Sequence, residues 1–245
     1  MHYSRLILNP RSRAVRRDLA DAFQMHRSVM SAFPQLAERD RSDPESGSIL
    51  WRIDTDQRSG VTMLIVQSEF APDWNVLLGR QPDYVAAPAG DERSPVDTKE
   101  RTLALSAGQV LSFRLRANPT KKLKADGRKN GVRVGLVTEV EQLAWLQRKA
   151  EAGGFRLHSV VVIPEESAEP RRTHKPGIAS DQDSSGGVAI ATAVKTTVTQ
   201  KMTHVAVRFE GILQVIAPTS FQHSLHSGIG SAKGFGFGLL SIARA

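Results

Sequence analysis

Near the C-terminus, the run Gly228-Ile229-Gly230-Ser231-Ala232-Lys233-Gly234-Phe235-Gly236-Phe237-Gly238 places five glycines in eleven residues. Glycines let a backbone approach a ligand closely, and a row of their N–H groups can line an anion site. Lys233 adds a cation inside the run and Ser231 a hydroxyl. The run therefore reads as a phosphate-contact loop rather than a turn before a last strand. It is no Walker loop, which needs Gly-Lys-Ser/Thr at fixed spacing. It is no dinucleotide fingerprint either, since it leads into a strand and not a helix. A second candidate is His26. Leu19, Phe23, His26, Met30 and Phe33 follow the 4-3-4-3 spacing of an apolar helix stripe. By its neighbours alone His26 reads as a partly buried core histidine. The rival reading is a catalytic histidine at the edge of a packed interface, where desolvation keeps the ring neutral as a base.

The remaining patterns carry less. His223 and His226 are spaced i, i+3 but lack a third metal ligand. His2, His158 and His204 read as strand residues, and His174 falls in a polar insertion. Asp181, Asp183, Ser185 and Gly186 start like a calcium loop, but the twelfth position is Thr192 and not Glu. Asp54 and Asp56 fail the same test at Arg58 and Ile65. No Gly-x-Ser-x-Gly elbow and no HExxH is present. The chain has no cysteine, which excludes disulfides, thiolate zinc sites and cysteine nucleophiles. No metal or cofactor is expected.

Charge points to the partner. Among 245 residues, 33 Lys and Arg stand against 25 Asp and Glu, a net of +8. Residues 1–17 hold Arg5, Arg11, Arg13, Arg16 and Arg17 and no acid. Residues 114–133 hold eight cations against Asp126 alone. These two segments carry +5 and +7, so the rest of the chain is acidic. Such clustering is the footprint of a polyanion, with a solvated basic face as the bland alternative. No apolar run reaches the ~18–20 residues of a membrane span. The opening MHYSRLILNP lacks the apolar core of a secretion signal. Both features, with the missing cysteines, suit the cytoplasm.

Several elements must position these residues. Tyr3–Asn9 reads as a strand, and Asp18 as the N-cap of a helix to about Phe33, stopped by Pro34. Residues 48–55 and 61–68 form a hairpin about Ser59-Gly60. Residues 86–98 read as loop, with a short strand about 100–105. Val110–Ala117 is a strand ended by Asn118-Pro119. The basic stretch after it, with Asp126-Gly127 and Asn130-Gly131, reads as an exposed loop. Thr138 and Glu141 form a capping box for a helix closed by Gly153-Gly154. Strands follow at 155–163, 188–199 and 204–215, with a polar insertion over 164–187. A short helix opens at Pro218, and 238–243 is a last strand. The order βαββ…β then αβ…ββαβ implies an α+β fold of two ferredoxin-like halves with antiparallel sheets. The division is placed at residue 125, giving an N-terminal domain 1–125 and a C-terminal domain 126–245 that carries the glycine loop.

Four segments together resemble the CasE family of CRISPR-associated endoribonucleases. They are Leu6–Pro10 with the helix through Met25-His26-Arg27; Phe113-Arg-Leu-Arg-Ala-Asn-Pro119 with Lys121-Lys122; Ala144-Trp-Leu-Gln-Arg-Lys149; and Phe209-Glu-Gly211 with Gly228–Gly234 and Gly238–Ser241. The resemblance spans nearly the whole chain. It implies two tandem ferredoxin-like domains of the RAMP type. It implies metal-independent cleavage of the CRISPR repeat hairpin by attack of the upstream 2′-hydroxyl on the adjacent phosphate. The products would be a 2′,3′-cyclic phosphate and a 5′-hydroxyl. The protein would then stay on the mature crRNA beside the other subunits of the type I-E complex, Cascade. The family's catalytic histidine falls on His26. A tyrosine found three residues before it in some members is Phe23 here. RNA contacts are expected from Arg27, Arg114, Arg116, Lys121, Lys122, Gly228, Gly230, Ser231, Lys233 and Gly234. Two other readings stand beside this one: a catalytically weak, crRNA-binding structural subunit of the same complex, favoured by Phe23, and a mononucleotide-binding enzyme using the glycine loop. The length of the basic segments argues against the latter.

Overall fold

The computed structural model describes residues 1–36, 48–86, 94–123, 132–165, 171–173, 199–201 and 204–245. The chain opens with β1 (His2–Ile7), α1 (Arg13–Ala20), α2 (Ala22–Met30), β2 (Ile49–Thr55), β3 (Thr62–Ser68), α3 (Trp74–Arg80) and β4 (Val96–Glu100). The four strands pair antiparallel in the order β2-β3-β1-β4. It continues with β5 (Val110–Ala117), β6 (Thr120–Leu123), β7 (Val132–Gly135), α4 (Glu139–Ala152), β8 (Phe155–Glu165), β9 (Arg171–Thr173), β10 (Thr199–Lys201), β11 (Ala206–Val215), α5 (Pro218–Ser227) and β12 (Leu240–Arg244). The second main sheet has the order β12-β5-β11-β8, again antiparallel. Setting aside the paired ribbons β6–β7 and β9–β10, each half is a β-α-β-β-α-β unit with the same strand order. The two ferredoxin-like halves expected from the element order are present.

Each unit has its own core. In the first, Leu6, Leu8, Met25, Val29, Trp51, Leu64 and Val66 bury the helices on one sheet face. In the second, Phe113, Leu115, Trp145, Leu146, Phe209 and Phe221 do so. Between the units, the buried Arg52 holds Asp54 at 2.7 Å and donates to the Leu239 carbonyl. Gln67 donates to the Leu225 carbonyl. Gly211 lies so close to the Ser159 carbonyl that only a residue without Cβ lets β11 pair with β8 there.

Three expectations need correction. A division at residue 125 would leave β5 with the first sheet. Hydrogen bonding places it between β12 and β11, so by sheet membership the units change between Glu100 and Val110. The basic composition after β5 marks a hairpin inserted behind a strand, not a boundary. Its β6 and β7 flanks are paired, although 124–131 lie outside the described residues. The helix expected from Asp18 is two helices. Asp21, with extended backbone, caps the end of α1 and the start of α2, accepting from the Phe23 N–H at 2.9 Å. Asp18 is instead buried within α1, accepting from Ser28, Tyr84 and Arg17. β4 begins inside the expected loop 86–98 and ends at Glu100, where the short strand was expected to start, and α3 falls in a stretch for which the sequence gives no element. The expected strand 188–199 falls almost wholly outside the described residues. The Thr138 cap is as expected, accepting from the Glu141 N–H while Glu141 takes the Thr138 hydroxyl.

Candidate active site

The glycine run folds into a closed loop wedged where the two units meet. Its ends are tied together by the Ile229 N–H on the Gly238 carbonyl at 2.9 Å. The Gly238 N–H donates to the Arg116 carbonyl of β5 at 2.8 Å. Two positions show why the residues are glycines. Gly228 has φ 73°, and a Cβ there would stand 2.8 Å from the Leu50 side chain; Gly236 has φ 80°, and a Cβ there would stand 2.7 Å from the Trp51 ring. Left-handed backbone and a wall of β2 side chains together demand glycine. On the other side, Gly230 abuts Trp145 of α4. The loop thus touches both units, and Lys233–Phe235 makes one 3-10 turn at its tip.

His26 meets that tip. The Cβ position of Gly234 lies 3.6 Å from its Cε1 and 3.7 Å from its Nδ1, and Nδ1 is buried. The break at Asp21 resets the helix phase. The buried stripe of α2 is Ala22, Met25 and Val29, while Phe23, His26 and Met30 are only half-buried at its edge. His26 is therefore not a core histidine. It faces the loop from the rim of the first unit.

The expected contact residues divide into groups. Gly228, Gly230, Ser231, Lys233 and Gly234 share the loop, and Ser231 donates to the Asn118 carbonyl at 3.5 Å. Lys233 is half-buried; burial, with a smaller push from the Lys149 charge, lowers its pKa from the usual lysine value. Arg27 is exposed beside His26. Arg116 supports the loop: it pairs with Glu165 at 2.8 Å, donates to the Gly236 carbonyl at 3.3 Å and lies 4.4 Å over the Phe237 ring. Arg114 sits apart, held by Glu210 at 2.7 Å and Asp54 at 3.5 Å. Lys121 and Lys122 lie on β6. Lys121 pairs with Glu141 at 2.9 Å. Lys122 is exposed directly opposite Arg133 on β7, a like-charge cross-strand pair that water alone does not favour.

Sequence reasoning missed Leu50, Trp51, Asn118 and His204, all of which pack around the loop. Only Asn118 had a signal, as the residue before the proline that ends the FRLRANP run. The others read as strand residues, and nothing local tells which side of a strand will meet a distant loop. Among the described residues no group of three His, Asp or Glu side chains is gathered as for a metal ion. No described helix is long and apolar enough to cross a membrane.

A family model described as CRISPR associated protein matches residues 1–244. The CRISPR-associated endoribonuclease Cse3 of Thermus thermophilus is 35% identical over 250 residues, covering 99% of this chain and 100% of that protein. The Cascade subunit CasE of Escherichia coli is 33% identical over 155 residues, 60% of this chain and 65% of that one. A solved structure of the CRISPR endoribonuclease Cse3 bound to 19 nt RNA superposes with a TM-score of 0.75 at 33% identity, covering 100% of both chains.

Proposed function

This chain belongs to the CasE family of CRISPR-associated endoribonucleases, and we propose that it cuts CRISPR repeat hairpin RNA at His26 and stays on the product as a Cascade subunit. One observation carries the site: the α2 histidine and the cationic glycine loop, 200 residues apart in sequence, meet at the junction of the two units. His26 is the general base. With Nδ1 buried, Nε2 takes the proton of the 2′-hydroxyl upstream of the scissile bond. The freed oxygen attacks the adjacent phosphate, the bond to the 5′-oxygen breaks, that oxygen takes up a proton from water, and a 2′,3′-cyclic phosphate and a 5′-hydroxyl result. Lys233, Arg27 and the loop amides stabilise the charge that develops on the phosphorane. Transesterification of this kind draws its nucleophile from the RNA, so it needs positioning, a base and cations, and no metal-bound water. The protein works in the cytoplasm.

Binding is the task of the basic ribbon β6–β7, with Lys121 and Lys122. An A-form stem offers a deep, narrow groove with little base readout, so shape and phosphates dominate. The juxtaposed Lys122 and Arg133 suit a surface that awaits phosphates. Arg114 and Arg116, held by carboxylates in pairs less exposed than that of Lys121 with Glu141, contribute less net attraction. About five phosphate contacts give a log–log dependence of affinity on salt of roughly −3.5 to −4.5. Charge reversal at Lys121 and Lys122 is expected to flatten that slope by about 1.5. A slope near zero in the unmodified protein would make the basic face a solvated one.

The reading is tested on a denaturing gel. Repeat RNA incubated with the protein in excess EDTA is expected to give two discrete products, the upstream one ending in a cyclic phosphate. Loss of cleavage on chelation, restored by magnesium, overturns the mechanism. Phe23 favours a second reading, a slow enzyme that chiefly retains the guide. Tight binding with only a little product after prolonged incubation would select it.

A further inference from the structure

His204 precedes β11 and lies against the glycine loop, on a side that the chemistry above does not use. Its ring centroid is 5.3 Å from that of Phe235 and 5.7 Å from that of Phe237. Asn118 fixes its tautomer. The Asn118 side-chain oxygen accepts the Val205 N–H at 3.2 Å. The amide nitrogen is thereby the group that stands 3.1 Å from His204 Nδ1, and it can only donate. Nδ1 accepts, so the ring is neutral and carries its proton on Nε2, a buried atom with no hydrogen-bond partner among the described residues. Burial, with the Arg116 charge adding to it, lowers the His204 pKa and keeps this acceptor form at neutral pH.

Around this ring the supports of the loop converge. The backbone carbonyl of the same Asn118 takes the Ser231 hydroxyl. Arg116, two residues earlier, spans Phe237 and the Gly236 carbonyl. On its other side the loop rests on His26 through Gly234. A run with five glycines has much conformational freedom to lose. Holding Lys233 and Gly234 in one place therefore needs props from outside the run.

We propose that His204 is a positioning residue for cleavage, propping Phe235 and Phe237 and accepting the Asn118 amide so that Lys233 and Gly234 are held against His26 at the scissile phosphate. His204 itself stands half-buried behind the loop and does not touch RNA. The inference rests on the reading of His26 as the base and of the loop as the phosphate contact. It separates two quantities. A displaced loop should slow the chemical step, because misplacement by about 1 Å can cost on the order of 10²-fold. Affinity, set mainly by the β6–β7 ribbon, should stay.

The variant His204→Phe keeps a ring between the two phenyl groups and removes the acceptor. Its single-turnover cleavage at saturating protein is expected to fall about 10- to 100-fold, with affinity for uncleavable 2′-deoxy repeat RNA within about 2-fold of wild type. His204→Asn, whose oxygen can stand where Nδ1 stood, is expected to recover part of the rate. An unchanged rate in His204→Phe overturns the proposal, as does a loss of rate matched by a loss of affinity. Wild type and His26→Asn run alongside, so failure of the underlying reading appears as absent wild-type cleavage. If His204→Phe melts at a much lower temperature, wild-type protein with nitrogen-15 histidine decides. The Nε2–H tautomer is expected for His204 at pH 7, with resonances that shift when 2′-deoxy RNA is added. The opposite tautomer, or no shift at saturation, overturns the proposal.

Discussion

Changing His26 to asparagine should slow cleavage of repeat RNA by on the order of 10²-fold or more, with affinity for the RNA nearly unchanged. The asparagine keeps a polar side chain at the tip of the glycine loop but has no nitrogen able to take a proton near pH 7. Alanine is the poorer choice, because it also opens a void beside Gly234 and Phe23. The measurement is a single-turnover rate at saturating protein, with a thermal melt to show that the variant is folded. A wild-type rate in folded His26→Asn would leave the base unassigned and return His26 to a packing role. Phe23→Tyr is the companion. Phe23 stands half-buried one helical turn before His26. A hydroxyl placed there should raise the rate if a missing donor limits it.

How far the sequence went can be judged at His26 itself. Its residue type and helix were legible; its environment was read through the wrong helical phase. The stripe Leu19-Phe23-His26-Met30-Phe33 assumed one helix from Asp18. Two aspartates three residues apart are equally good caps by type, and only packing decides between them. Asp18 is consumed by Ser28 and Tyr84, so Asp21 takes the cap and the buried face moves to Ala22, Met25 and Val29. The glycine loop was legible as an anion loop because its composition is unusual on any strand. Its seat against Leu50, Trp51 and Trp145 was not, since those contacts join segments more than 80 residues apart. Charge was legible as a total and misleading in detail. Arg114 and Arg116 raise the count of the basic segment, but Asp54, Glu165 and Glu210 reach them from other strands. The domain division failed for a related reason: a Lys-rich stretch with turn signals looks the same as a linker or as a hairpin.

Removing the 2′-hydroxyl from the nucleotide before the scissile phosphate should abolish cleavage altogether, the largest effect expected of any single change. In the proposed chemistry that oxygen is the nucleophile, so its loss leaves His26 a base with nothing to deprotonate. The same substitution removes at most one hydrogen bond from binding, worth about 1 kcal/mol, or roughly a 5-fold change in affinity. Deoxy RNA should therefore bind nearly as well as the natural repeat and compete with it. The position of the substitution provides the internal control. A 2′-deoxy group one nucleotide to either side should leave the rate close to normal, because only one hydroxyl can approach the phosphorus in line with the departing 5′-oxygen. The check is a denaturing gel of the three deoxy RNAs under single-turnover conditions, with product ends tested by phosphatase before and after acid opening of the cyclic phosphate. Cleavage of the RNA deoxygenated at the scissile nucleotide would mean that water attacks instead. The base would then have to activate a molecule that the RNA does not hold in place, and the pairing of His26 with the loop around Lys233 would need a different explanation.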